Sequence, residues 1–184
     1  MQKTDQLEKV TLLVEELESK ELMPILIGGM ALVLLGSQRV TKDFDFLISR
    51  QDSTIEETVN IFYKHGFELI SKFNKKREVL RTIDNPKVAS LRLKIDAPDS
   101  AYFFNSEIRL KIDLLFDFPL PAKEVASRAD KIKIRSHSIL VASREDLIRL
   151  KEIAYANRKS ASDAQDLEFL RRKSIRLSSR KFIQ

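Results

Sequence analysis

The amino-acid sequence predicts an α/β (α+β) protein, in which a mixed β-sheet is flanked by helices and followed by a C-terminal helical portion. Apolar residues recur with helical spacing near both ends of the chain. Between these segments, short apolar runs are bounded by Gly and Pro, which is typical of strands. The stretch from Ile25 to Ile48 reads as a strand, a glycine pair, a short helix and a second strand. This order favours a mixed α/β core.

Each element follows from a local signal. The first helix carries one stripe of Leu and Val, Gly36 and Gly66 can end the second and third helices, and Thr54 can begin the third. Helices are predicted at 4–20, 29–35, 55–65, 143–157 and 162–173. Strands are predicted at 23–27, 43–49, 67–71, 78–83, 88–95 and 107–116, and residues 131–141 are predicted to be extended. Residues 118–130 are the one plausible junction, between a catalytic core at 1–118 and a C-terminal strand and helical portion at 119–184.

Composition excludes several classes of protein. The chain is 43% hydrophobic and 33% charged, as is usual for a globular protein, and no apolar run is long enough to cross a bilayer. It contains no cysteine, so disulfides and cysteine-bound metals are excluded. The N-terminus lacks the apolar core of a signal peptide. We therefore predict a cytoplasmic protein with no membrane partner.

The net charge of +6 lies in the tail that begins at Arg171, which carries six Lys or Arg and no acid. A basic, Ser-rich tail could bind nucleic-acid phosphates or could be a solvated chain end, and both interpretations stay open. The basic run 72–77 is interpreted as a solvated loop, with nucleic-acid contact as the lesser alternative. The aromatic run 102–104 is interpreted as core or loop packing, with base stacking as the lesser alternative.

Two carboxylates share one face of a predicted strand. Residues two apart in a strand point the same way and lie roughly 6.5–7 Å apart, so Asp43 and Asp45 face one side while Phe44 and Phe46 face the core. Asp113 lies on the polar face of the predicted strand 107–116. If the two strands are neighbours, the three carboxylates converge and could bind Mg²⁺ or Mn²⁺. The alternative is ordinary ion pairing, for instance with Lys111.

A glycine pair joins the first predicted strand to its helix. Gly28 and Gly29 would let phosphate oxygens approach backbone N–H groups, although a tight turn is the simpler interpretation. If the chain is extended from Arg39, then Arg39 and Thr41 face the same side as the carboxylates. Arg39 could then grip a phosphate and Thr41 could donate a hydrogen bond nearby. A solvent-facing Arg39 and a turn-forming Thr41 are the alternatives.

The C-terminal helices add one lysine and two acids. Lys151 lies on or beside a buried helix face, where it must either snorkel to solvent or meet an anion such as a nucleotide phosphate. Asp163 and Asp166 share a face of the next helix. Asp163 can serve as a helix cap, so Asp166 is the stronger candidate for the site.

These residues together resemble a known superfamily. The segment GGMALVLLGSQRVTKDFDFLI is similar to the motif of DNA polymerase β-like nucleotidyltransferases, and more narrowly to bacterial nucleotidyltransferases of the AbiEii type, many of them toxins of toxin–antitoxin systems. The segment DLIRLKEIAYANRKSASDAQDLEFL is similar to their later motifs, whereas the middle segment 66–106 matches no motif. The resemblance implies a nucleotidyltransferase fold, with Gly28 and Gly29 on the triphosphate and Lys151 on its phosphates. It assigns Asp43, Asp45 and Asp113 to the metal, and Asp163 or Asp166 to a further polar role.

The predicted function is metal-dependent transfer of an NMP from an NTP to a hydroxyl acceptor, with release of pyrophosphate. The acceptor could be an RNA such as a tRNA end, reached through the basic tail, or a protein or small molecule. The protein could act as a toxin with an antitoxin partner. The alternative from another class is a non-catalytic nucleotide- or nucleic-acid-binding module of the same fold.

Overall fold

The computed structural model describes residues 3–134 and 136–172. These residues form seven helices and eight strands. The helices are α1 Lys3–Ser19, α2 Gly28–Leu34, α3 Ile55–Lys64, α4 Pro86–Asp96, α5 Ala122–Arg128, α6 Arg144–Arg158 and α7 Ala161–Arg171. The strands are β1 Ile25–Ile27, β2 Phe44–Ile48, β3 Glu68–Phe73, β4 Val79–Ile83, β5 Ser100–Asn105, β6 Leu110–Phe116, β7 Asp130–Ile134 and β8 His137–Val141. The predicted mixed α/β fold is confirmed.

One sheet contains all eight of these strands, in the order β4-β3-β5-β6-β2-β1-β8-β7. The pairs β2–β6 and β1–β8 are parallel, and the other pairs are antiparallel. The sheet is therefore mixed, as predicted. The segment 66–106, which matched no motif, supplies three of its strands and one helix.

Helices α1 and α3 cover the hydrophobic face of the sheet. The predicted stripe of α1 is fully buried at Val10, Leu13 and Val14. The ring of Phe62 from α3 stacks on Phe103 of β5 with centroids 4.1 Å apart. Phe103 is therefore a core residue, in agreement with the packing interpretation of this aromatic run.

The predicted strand at 88–95 is wrong, because these residues belong to α4. The side chain of Asn85 caps this helix by accepting hydrogen bonds from the N–H groups of Lys87 and Val88, at 2.9 and 3.3 Å. Pro86 occupies the first turn, where its missing N–H is no loss. The Asn-Pro pair is thus a signal for the start of a helix, and it is more reliable here than the short apolar pattern that follows it and that predicted a strand.

Two further segments contain more structure than was predicted. The extended segment at 131–141 is a hairpin of β7 and β8, and β8 continues the sheet beside β1. The junction predicted at 118–130 contains α5. The guanidinium of Arg128 at the end of α5 donates two hydrogen bonds, of 3.0 and 2.8 Å, to the buried carboxylate of Asp146 in α6. This pair anchors the helix that carries Lys151.

No helix in the described part of the chain is both long and apolar enough to cross a bilayer.

Candidate active site

The candidate site begins with the register of the two central parallel strands. Asp45 of β2 lies directly opposite Asp113 of β6. Their apolar neighbours Phe46 and Ile112 are buried on the other face of the sheet. Asp43 precedes the first residue of β2 and is half exposed. The two strands are therefore neighbours, as predicted, and their pairing brings Asp45 and Asp113 together.

A lysine ammonium lies between the outer carboxylates. The Nζ atom of Lys111 is 3.3 Å from an oxygen of Asp43 and 3.1 Å from Oδ1 of Asp113. The ion pairing considered as an alternative from the sequence thus exists. It involves only two of the three carboxylates, because Asp45 faces Asp113 and the glycine turn.

The carboxylates of Asp45 and Asp113 are held in an environment that disfavours their charge. Burial, together with the charge of Asp113, raises the pKa of Asp45 to about 6, although the charge of Lys111 opposes the rise. Burial also raises the pKa of Asp113, although Lys111 counters the effect. Oδ1 of Asp113 is buried and accepts no hydrogen bond of regular geometry, although the ammonium of Lys111 lies 3.1 Å away. Two facing buried acids thus have one ammonium in direct contact, and its hydrogen bond goes to the other oxygen of Asp113.

The donor set fits a hard divalent cation. Carboxylate oxygens are the ligands that Mg²⁺ and Mn²⁺ prefer, and the buried Oδ1 of Asp113 could exchange its ion pair with Lys111 for a bond to such a cation. As the side chains stand, the described residues contain no group of three His, Cys, Asp or Glu side chains placed to hold one ion. Asp43 instead contacts Lys111. Binding of a cation by all three carboxylates would therefore require Asp43 to leave this ammonium.

The glycine turn lies against the same carboxylates. Gly28 has a φ of +67°, and a Cβ atom built on it would lie 2.1 Å from Oδ2 of Asp45. A Cβ atom on Gly29 would lie 3.1 Å from the guanidinium carbon of Arg39 and 3.2 Å from Oγ1 of Thr41. Four of the residues predicted to bind the nucleotide are thus adjacent, next to Asp45.

We expect Gly28→Ala to lower both the stability and the nucleotide-transfer activity predicted from the sequence, with Gly36→Ala as its matched control. Both glycines have positive φ, but a Cβ on Gly36 would meet nothing within 4 Å. Each change should cost about 1 kcal/mol of backbone strain, and Gly28→Ala should also displace the carboxylate of Asp45. Urea unfolding and transfer rates measure the two effects. Equal activity losses in the two variants would contradict the predicted contact.

The second part of the site is a network of buried charges on α6 and α7. The ammonium of Lys151 is 3.1 Å from Asp163 and 2.7 Å from Asp166, and all three side chains are at most 10% exposed. Arg39 forms an ion pair with Asp166 from the loop before β2. Lys151 lies near enough to Asp45 to oppose the rise of its pKa. This network therefore joins the C-terminal helices to the carboxylates and the glycine turn.

The structure gives more specific partners to three of the predicted residues. Lys151 does not snorkel, because two carboxylates neutralise its ammonium. Asp163 is not the helix cap. Ser160 is the cap, and it accepts a hydrogen bond from the N–H of Asp163 at 3.1 Å. Arg39 is paired with Asp166 rather than being simply solvent-facing.

One neighbour of the carboxylates was not predicted from the sequence. Tyr102 of β5 lies directly opposite Asp113, on the same face of the sheet. Ala101, Phe103 and Asn105 of β5 are buried in alternation with partly exposed residues, but the residue types of SAYFFN do not alternate, and no strand was predicted there. The strand pairing that places Tyr102 beside Asp113 had no local signal either.

Several solved structures share the fold of this chain. No curated protein matches the chain. Among solved structures, an antigenic nucleotidyltransferase-like protein from Paracoccidioides brasiliensis superposes with a TM-score of 0.60 at 18% identity, covering 90% of this chain and 75% of that one. The antibiotic-resistance factor ANT(2'')-Ia gives a TM-score of 0.60 at 11% identity, covering 92% and 84%. The lincosamide antibiotic adenylyltransferase LnuA gives 0.55 at 11% identity, covering 91% and 97%. At these identities the likeness shows a shared fold.

The match to a protein family is more specific. Residues 11–183 match the family described as the nucleotidyl transferase AbiEii toxin of type IV toxin–antitoxin systems. With the fold and the facing carboxylates, this match defines the protein as a nucleotidyltransferase. Within that class of enzyme, the chain belongs to the AbiEii toxin family. The narrower resemblance inferred from the sequence, to nucleotidyltransferases of the AbiEii type, is confirmed.

Proposed function

We propose that this enzyme is a metal-dependent toxin that transfers an NMP from an NTP to a hydroxyl acceptor. The single observation that carries the proposal is the parallel register that sets Asp45 opposite Asp113, beside the turn at Gly28. Two buried carboxylates of like charge favour the binding of a cation. The adjacent glycine turn has no side chains and therefore leaves room for phosphates.

In this proposal, Asp43, Asp45 and Asp113 would hold Mg²⁺ or Mn²⁺. When bound, the cation would act as a Lewis acid that eases deprotonation of the acceptor hydroxyl and neutralises the leaving pyrophosphate. The attacking oxygen would form a bond to the α-phosphorus while the bond from that phosphorus to the bridging oxygen breaks. The hydroxyl proton would leave to solvent or to a neighbouring carboxylate.

The phosphates would be held by groups on the other side of Asp45. Gly28 and Gly29 leave room for phosphate oxygens, and Thr41 can donate a hydrogen bond beside them. Arg39 and Lys151 would supply positive charge. Because both cations contact Asp166 in the structure, Asp166 would hold them in position between catalytic cycles.

Incubation with each NTP labelled on its α-phosphate, a divalent cation, cellular RNA and cellular protein tests the transfer. Label should move to one class of acceptor, and Asp43→Ala/Asp45→Ala should abolish the transfer. Asp130→Asn, an exposed acid on the edge strand β7, is the control and should leave it intact. Metal-dependent NTP binding without transfer to any acceptor, including small hydroxyl compounds, would contradict the proposal.

The toxin role is tested in cells. Family membership supports a growth-inhibiting activity that a cognate antitoxin opposes. Expression of the wild-type chain should slow growth, and expression of Asp43→Ala/Asp45→Ala should not. A cognate neighbouring gene should restore growth. The basic tail proposed to contact RNA comprises residues 171–184, of which 173–184 lie outside the described residues. Deletion of the tail would test this contact.

We expect Lys111→Met to tighten the binding of Mn²⁺. The ammonium competes with the cation for Asp43 and Asp113, so its removal should lower the apparent dissociation constant about tenfold, or about 1.4 kcal/mol. Without cation, the variant should be less stable, because two carboxylates lose their counter-ion. Calorimetry with Mn²⁺ and thermal unfolding measure these effects. Lys42→Met, at an exposed neighbouring position, should do neither, and weaker Mn²⁺ binding by Lys111→Met would refute the competition.

A further inference from the structure

A chain of aromatic and cationic side chains leads from the β3–β4 hairpin to the carboxylates. The guanidinium of Arg77 lies over the ring of Phe73, 5.8 Å from its centroid. The ring of Phe73 meets Tyr102 edge-on at 5.4 Å, and the ammonium of Lys111 lies 5.8 Å from the Tyr102 centroid. Lys111 in turn contacts Asp113. We call Phe73, Arg77 and Tyr102 the aromatic–cationic strip.

The strip lies on the opposite side of the carboxylates from the glycine turn. Tyr102, Asp113 and Asp45 are directly paired across three adjacent strands, so their side chains form a row on one face of the sheet. Gly28 contacts the far end of this row, at Asp45. Asp113 and Asp45 therefore separate the strip from the turn proposed to hold the triphosphate.

This order has a consequence for the reaction. In phosphoryl and nucleotidyl transfer, the attacking and leaving oxygens lie roughly in line on opposite sides of the phosphorus. If pyrophosphate leaves on the side of Gly28, then the acceptor hydroxyl must approach from the side of Tyr102. The strip therefore lies where the acceptor should bind.

The hairpin has the composition of a nucleic-acid contact. Phe73 and Tyr102 are partly exposed, and Arg77 is exposed. The other basic residues of the hairpin are also exposed: Lys72, Lys75, Lys76 and Arg81. Between residues 72 and 81, Glu78 is the one acid. Aromatic rings that stack on bases, combined with cations that contact phosphates, are the usual means of binding a single strand.

The hairpin is held in a defined conformation. Register shifts between Ile70 and Phe73 mark a bulge, a feature that redirects side chains at the edge of a sheet. The side chain of Asn74 accepts hydrogen bonds from the N–H groups of Lys76 and Glu78, both at 2.9 Å.

We propose that the aromatic–cationic strip binds the terminal nucleotide of a single-stranded RNA acceptor, with its base on Phe73 and Tyr102 and its phosphate at Arg77. The inference rests on the proposed function, because that function places the triphosphate at the glycine turn. The basic side chains of the hairpin would contact the preceding phosphates. The strip thus indicates the class of acceptor, which the carboxylates alone do not determine.

Binding of a fluorescent single-stranded RNA oligonucleotide with a free 3′ hydroxyl tests the proposal, using the full chain without NTP. Phe73→Leu and Arg77→Glu should each weaken binding about tenfold, the usual loss when one stacked base or its cation is removed. Phe73→Tyr should retain binding, because the ring is retained. Since Arg77 is exposed, Arg77→Glu keeps the test valid if Phe73→Leu fails to fold.

Arg92→Glu is the matched control. Arg92 is an exposed arginine of α4, whose partner Asp96 is also exposed, so this change alters the net charge as Arg77→Glu does. It should leave RNA binding within about twofold of the parent. Equal losses in Arg92→Glu and Arg77→Glu, or unchanged binding in both Phe73→Leu and Arg77→Glu, would overturn the proposal.

The experiments distinguish an error in the proposed RNA-binding role of the strip from an error in the proposed function. RNA binding that depends on the strip, with no nucleotide transfer by the wild-type chain, would contradict the transfer reaction and support the strip. Transfer to RNA that is insensitive to Phe73→Leu and Arg77→Glu would support the reaction and overturn the strip. Transfer only to protein or to a small molecule would also overturn it.

Discussion

Replacing Asp45 with Asn should reduce nucleotide transfer by about a thousandfold, or roughly 4 kcal/mol of transition-state stabilisation. Asn keeps the size and shape of the side chain, so the contact with Gly28 and the strand pairing with Asp113 should survive. What is lost is one negative charge at the point where the cation is proposed to bind. The change thus tests charge rather than packing.

The same variant should be at least as stable as the wild-type chain when no cation is present. Asp45 and Asp113 are facing acids, and burial raises the pKa of each. Removal of one charge relieves repulsion and desolvation, for an expected gain of about 1 kcal/mol. Urea unfolding in a chelating buffer measures this gain. Added Mg²⁺ should stabilise the wild-type chain and have a smaller effect on Asp45→Asn.

A loss of transfer activity combined with a gain in stability is the informative result for Asp45→Asn. A residue with a purely structural role would lose both together when replaced, whereas a site that stores unfavourable charge gains stability when it is disabled. Asp130→Asn, on an exposed strand edge, should change neither quantity. If Asp45→Asn lost activity and stability in parallel, the interpretation of Asp45 as a cation ligand would fail.

The carboxylates could be predicted because their signal is local. Residues two apart in a strand share a face, so Asp43 and Asp45 were placed on one side from the sequence alone. Asp113 required the additional assumption that its strand lies beside β2, and the parallel register bears this out. The glycine turn and the AbiEii motif lie in the same continuous stretch, and the family match confirms the resemblance.

The parts that could not be predicted depend on contacts between distant segments. Tyr102 reaches Asp113 through strand pairing, and Phe73 reaches Tyr102 from the opposite edge of β5. Arg39 meets Asp166 from the other half of the chain. Local patterns contain no information on these partners. The strand predicted in place of α4 was a different kind of error. The residues that begin this helix, Asn85 and Pro86, are visible in the sequence, but the apolar pattern after them was interpreted as a strand.

Of the variants proposed for this protein, Lys151→Met should lose the most stability, about 3 kcal/mol, because it removes the ammonium shared by two buried carboxylates. Asp163 and Asp166 are 3% and 5% exposed, so water cannot replace the lost partner. Asp163 keeps Arg158, and Asp166 keeps Arg39, which limits the loss. Urea unfolding measures it. Lys123→Met, an exposed lysine of α5, is the control and should have little effect.

The double variant Lys151→Met/Asp166→Asn separates the structural role of Lys151 from its proposed role in binding phosphate. Neutralising Asp166 removes one of the two uncompensated charges, so the double variant should recover roughly half of the lost stability. Transfer activity should stay low, since the cation proposed to bind the nucleotide phosphates is still missing. Recovery of activity along with stability would mean that Lys151 acts only by neutralising its neighbours. In that case Arg39 alone would supply the positive charge beside the glycine turn.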